Sequence, residues 1–228
     1  MSTAFRKAIW WTGDYAYAAW WQVRGAVSRI PADAFHSGNR SPVVVIPGVY
    51  ESWQFLLPLI TALHKAGHPV HVVTLLQRNR LDVPIAARLV AEHIAAAGLD
   101  NAVIVAHSKG GLIGKYIMLA LDPDRRVDRL VAVCTPFSGS RYARYLLIPS
   151  LRAFSPGNAL TLQMAREETI NNRITSIYGL YDPHIPEGSV LPGARNIRLQ
   201  TVGHFRILGD AQTARTIVEQ IQTDPPDQ

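Results

Sequence analysis

Three residues far apart in the chain have the types and the order that nucleophilic acyl chemistry needs: Ser108, Asp182 and His204. Ser108 stands in Val103-Ile-Val-Ala-His-Ser-Lys-Gly-Gly-Leu-Ile-Gly114, where a β-branched apolar run stops at a serine among small residues. A helix-like pattern follows. This is the sequence form of a nucleophile elbow, a tight strand-to-helix turn that exposes a serine hydroxyl. An ordinary Ser-Gly loop is the plain alternative, but strand, turn and helix signals coincide at this one place. Gly110 and Gly111 let the following helix pack close to the turn.

A serine hydroxyl is a weak nucleophile and needs a positioned base. The chain has eight histidines, so composition alone does not choose one. His204 follows the last expected strand, beside Gly203, where the chain returns to the carboxyl edge of a sheet. His107 adjoins Ser108, but neighbours on a tight turn point apart. His64, His68, His71 and His93 fall on or near elements away from that edge, and His184, just past the acid, is read as a loop residue, with lining of the site as the lesser alternative. The orienting acid should follow a strand, as Asp182 does in Ile177-Tyr-Gly-Leu-Tyr-Asp-Pro183. Asp-Pro at a strand end is also plain turn chemistry, and Asp210 is the fallback acid. A tetrahedral oxyanion further needs backbone donors. Val49, after Pro47-Gly48, and Lys109, after the serine, are expected to offer theirs; Pro47 has none. The Lys109 side chain is expected to point to solvent, with contact to anionic substrate groups as the alternative.

The elements that would position these residues alternate. Val43–Ile46, Val70–Val73, Ala102–Val105, Leu130–Val133, Ile174–Tyr178 and Ile197–Val202 read as strands. Helices are expected over about 53–66 with Ser52 as cap, from Pro84 to about 97, after the elbow to about 121, over 159–169 and over 211–221. Such alternation predicts an α/β fold with a mostly parallel sheet covered on both faces. Residues 3–28 read as a helix rich in Trp and Tyr, either packed on the body, contacting a second copy, or lying at a membrane interface. We expect residues 1–42 to form this helix and a connector, and 43–228 the main domain. Residues 140–158, with Tyr145, Leu146 and Phe154 spaced by arginines, suit either a packed connection or a small cap.

The length of 228 residues suits one sizeable domain. The net charge of +6 comes from scattered cations without a nucleic-acid motif, so nucleic acid is not expected as a partner. Cys134 is the only cysteine, which excludes an intrachain disulfide. With no smooth apolar leader and no long apolar run, a cytoplasmic protein is the expectation, with peripheral membrane contact through residues 3–28 as an option. No metal-ligand spacing occurs, and no cofactor is expected.

The Ile46-Pro-Gly-Val49 strand end, the Ala106-His-Ser-Lys-Gly-Gly111 elbow, Cys134-Thr-Pro-Phe-Ser-Gly-Ser140, the Asp182 turn and the Gly203-His204 loop together resemble the α/β-hydrolase superfamily. Within it the likeness is to small bacterial lipases and esterases, over about residues 43–222. Ala106 replaces the usual first elbow glycine, and Pro47-Gly48 stands where lipases often have His-Gly. The resemblance implies Ser108 as nucleophile, His204 as base, Asp182 as its orienting acid, and oxyanion amides from Val49 and Lys109. Tyr50, Phe137, Tyr145 and Leu146 are the expected pocket residues. Hydrolysis of lipid-like or small esters follows. Acyl transfer on the same triad, and a non-catalytic protein that binds membrane or partner through its aromatic helix, are the alternatives. Oligomeric state is not read from the sequence.

Overall fold

The computed structural model describes residues 3–145 and 155–222. Six strands form one sheet: β1 (Val43–Ile46), β2 (Val70–Val72), β3 (Ala102–His107), β4 (Val127–Val133), β5 (Ile174–Tyr178) and β6 (Arg195–Arg198). Their order is β2-β1-β3-β4-β5-β6, and every neighbouring pair is parallel. All strands therefore end at one edge, where α/β sheets place their ligands. β1 and β3 are buried along their whole length because helices cover both faces.

The helices are α1 (Thr3–Val27), α2 (Leu57–Lys65), α3 (Val83–Ala96), α4 (Lys109–Ala120), α5 (Ala159–Arg166) and α6 (Ala211–Gln222). Alternate residues of each strand feed opposite cores. Val44, Ile46, Ile104, Leu130 and Ala132 pack with α3 and α4. Val43, Val45, Val103, Val105, Val131 and Val133 pack with α2, α6 and the inner face of α1. A strand of consecutive apolar residues is what this two-sided burial requires.

Two elements differ from the sequence expectation. The helix at 53–66 begins as a 3-10 turn, Trp53–Leu56, and becomes α-helical only at Leu57, with Pro58 in its first turn. Proline lacks an N–H, so a helix can begin there but not continue through it. Ser52 makes no capping bond. The last strand spans Arg195–Arg198, earlier than expected, and the chain rejoins the sheet at a single Tyr181–Val202 bridge. Arg195, Asn196 and Arg198 tolerate solvent at this edge, so the strand carries little apolar signal. Among the described residues no helix is long and apolar enough to cross a membrane.

Candidate active site

Ser108 lies between β3 and α4 with φ +52° and ψ −119°, a conformation a non-glycine residue adopts only when its surroundings force it. They do. Its N–H donates to Val133 O at 2.8 Å, and its carbonyl accepts from the Thr135 hydroxyl at 3.0 Å. Gly110 is required there: a Cβ at that position would lie 2.4 Å from the carbonyl oxygen of Ile46. Ala106, almost fully buried, fits between Ile46 and Ala132 of the flanking strands.

The His204 ring meets this serine from the other side. Its Nε2 is 3.1 Å from Ser108 Oγ, and its Nδ1 is 2.7 Å from Asp182 Oδ2. The second oxygen of Asp182 accepts from the backbone N–H groups of His184 and Ile185 at 2.8 and 3.1 Å. The Tyr181–Val202 bridge and the Gly203 N–H to Tyr181 O bond of 2.8 Å bring the two loops to one level. Burial alone would push the Asp182 carboxyl up, but the His204 ring and these hydrogen bonds outweigh it and hold it down at about 2. Burial opposes the charge on His204 in turn, but Asp182 raises that ring above its ordinary value.

The loop carrying His204 is held from the far end of the chain. Asp14, fully buried on α1, accepts from the N–H groups of His204, Phe205 and Arg206 at 2.9, 2.8 and 2.9 Å. Gly203, at φ +105°, makes the approach feasible, since a Cβ there would be 2.4 Å from Asp14 Oδ1. A second buried strut comes from His107. Its Nδ1 meets the Glu51 carboxylate at 2.8 Å, and its Nε2 donates to the His204 carbonyl at 3.0 Å. Glu51 also accepts from Gly48 N–H at 2.7 Å, which ties the end of β1 to the histidine loop. His107 thus points away from Ser108, as its place beside the turn implied.

The Lys109 side chain corrects the sequence expectation. It is buried, and its ammonium donates to the carbonyls of Asn79 and Leu81. Asn79 in turn donates to Pro47 O at 2.6 Å. A lysine at the start of α4 therefore braces the turn after β1, at the cost of a burial that lowers its pKa to about 8.

Ser108 and His204 open into a cavity of about 540 Å³. Its walls are mainly apolar: Trp11, Tyr15 and Ala18 from α1, with Val49, Phe55 and Ile185 opposite. Tyr50 also lines it, and its carbonyl accepts from Gln22 at 2.9 Å. Phe137 does not; it packs in the core beneath α4, and its neighbour Pro136 faces the cavity. The side chain of Tyr145, together with Leu146 and most of the expected cap, lies outside the described residues. His184 is more than a loop residue. It lines the cavity with its ring centre 4.9 Å from that of His204, and burial first, then the His204 charge, lowers its pKa to about 3. Cys134 Sγ lies within 4.8 Å of Asp182 and His204 donor atoms. Burial and the Asp182 charge raise the thiol well above its usual value.

No protein-family model matches the chain, and no curated protein matches it. Solved structures do. Lipase B of Aspergillus fumigatus superposes with a TM-score of 0.72 at 19% identity, over 86% of this chain and 56% of that one. A mature lipase of Bacillus licheniformis gives 0.67 at 15% identity, over 84% of this chain and 97% of its own. The chain has the α/β-hydrolase fold. A third α/β-hydrolase, from a lagoon-sediment metagenome, superposes at 0.60 with 18% identity, over 80% of this chain and 91% of that one. This chain thus spans little more than half the length of the Aspergillus lipase. In this α/β-hydrolase fold, Asp14 and Glu51 are the residues around the candidate site that sequence reasoning missed, and His184 was read there chiefly as a loop residue. Asp14 did leave a signal: it is the only acidic residue before Asp33, in the middle of an aromatic helix.

Proposed function

We propose that the protein is a serine hydrolase that cleaves carboxylic esters with apolar acyl groups. One observation carries the reading: the Asp182–His204–Ser108 hydrogen-bond chain ends at the floor of an apolar cavity. Ser108 Oγ attacks the ester carbonyl while His204 Nε2 takes its proton. Asp182 keeps the Nδ1 proton facing itself and stabilises the imidazolium. The oxyanion is received by the backbone N–H groups of Val49 and Lys109. His204 then returns its proton to the leaving alcohol. A water, deprotonated by the same nitrogen, releases the acid. The lipase names of the superposed structures favour ester substrates, and the cavity size falls in the range that holds small organic ligands.

The test is intact-protein mass spectrometry after exposure to a fluorophosphonate. We expect one label per chain, absent in Ser108→Ala, and a fall in ester turnover of about a millionfold in that variant. A wild-type protein that takes no label would end the reading.

A further inference from the structure

α1 has two uses for its apolar residues. One side faces the sheet and the cavity, with Asp14, Tyr17, Ala18 and Trp21 turned inward. The opposite side is also apolar, although it faces solvent. Phe5, Ile9, Trp20, Val23 and Val27 are 55%, 48%, 57%, 62% and 71% exposed. With Thr12 and Ala16 between them they recur at intervals of three and four, so they form one stripe along the helix. Thr12, the one polar member, spends its hydroxyl on Ala8 O of its own helix. Solvation does not explain such a stripe, because a helix packed by one face needs charged residues on the other.

The charges sit beside the stripe, and they share one sign. Arg6 and Arg24 flank it and are exposed, and Arg29 follows just past the helix end, whereas Lys7 lies on the inner side, over the Tyr181 ring at 5.4 Å; the only carboxylate of this segment, Asp14, is buried and spent on three N–H groups. The Arg6 guanidinium lies over Trp10 and that of Arg24 over Trp20 and Trp21, at 5.2, 5.8 and 5.4 Å. Aromatic and aliphatic groups flanked by arginine suit the headgroup boundary of a bilayer. Trp11 and Tyr15, on the same helix, are 41% and 44% exposed and also line the cavity. We infer that the outer face of α1 lies on a membrane surface rich in anionic lipid, with the cavity mouth beside it. Apolar side chains enter the acyl boundary, and the cations meet lipid phosphates. Nothing in this docking depends on the chemistry of Ser108.

Flotation of the full chain with vesicles tests it without any substrate. We expect binding to phosphatidylglycerol–phosphatidylcholine vesicles, weaker by about tenfold or more on phosphatidylcholine alone. The triple variant Ile9→Glu, Trp20→Glu, Val23→Glu should weaken binding by more than about tenfold. None of these side chains lines the cavity, so melting temperature and fluorophosphonate labelling should match the wild type. Should that variant fail to fold, Arg6→Gln with Arg24→Gln is expected to weaken binding to anionic vesicles alone. Failure of the wild type to float, or equal flotation of a folded triple variant, overturns the inference. Equal affinity for both vesicles overturns the choice of anionic lipid. A wild-type dimer that the variant turns into a monomer, with no flotation of either, would assign the stripe to a second copy of the chain. Loss of labelling with flotation intact would count against the hydrolase reading only.

Discussion

The elbow and the histidine loop meet within one hydrogen bond, yet they are built in opposite ways. The elbow is held by its own surroundings: Val133 and Thr135 bond its backbone, and Gly110 leaves room for the end of β1. The histidine loop is held by residues remote in sequence. Asp14 takes three of its N–H groups across about 190 positions, and His107 takes the carbonyl of His204. The proposed nucleophile needs a fixed exit angle, which a strained turn supplies once β4 and Thr135 bond its backbone. The proposed base has to be presented to that serine, and a loop of low intrinsic order must borrow its rigidity. Both loops contain a glycine for the same steric reason, but one makes way for its own sheet and the other for α1.

The largest test of this contrast is Gly110→Val. Its side chain would press on the Ile46 carbonyl, which is backbone and cannot swing aside. A loss of about 4 kcal/mol or more is expected in denaturant unfolding, and a stable, active variant would refute the elbow's tight packing. Asp182→Asn should leave the fold intact and lower turnover by about four orders of magnitude. Because the Asp182 charge raises His204, the wild-type kcat/KM should rise with pH through an apparent pKa above 6.5, and that limb should move to lower pH in the residual activity of the variant. An unmoved limb would remove Asp182 from the pair.

Asp14→Ala sharpens the comparison from the other side. It leaves three N–H groups without their acceptor, and a loss on the order of 3 kcal/mol is expected. Hydrogen exchange should quicken at residues 203–206 and stay unchanged at the elbow. Equal quickening at both would mean the two loops are one rigid unit. The smallest effect belongs to His184→Phe. His184 resists protonation down to about 3, whereas the unfolded chain takes that proton near 6.5. Its share of stability is therefore lost as pH falls through that window. Replacing it among Trp11, Tyr15 and Phe205 should spare about 2 kcal/mol at pH 5 relative to wild type, read from unfolding at pH 5 and pH 8.

Much of the sheet was legible because two-sided burial demands unbroken apolar runs, and Val43–Ile46 and Ala102–Val105 have them. β6 was placed late because an edge strand needs no such run. Ser108, Asp182 and His204 were legible from their positions at strand ends. The pocket was not: Phe137 went to the core, and the α1 side chains that took the wall lie outside any motif. Lys109 was misread because the partners that make burial of an ammonium tolerable, Asn79 O and Leu81 O, come from a loop some thirty residues earlier.

The sequence by itself determined the strand and helix alternation, the elbow and the order serine, acid, histidine, because these rest on steric and periodic rules acting within a few residues. Only the tertiary structure decided which buried charges support the site. Asp14 and Lys109 owe their place to backbone groups far along the chain, and Glu51 to the His107 ring as well as the nearby Gly48 N–H; an unmet N–H or C=O announces itself only once the chain has folded around it.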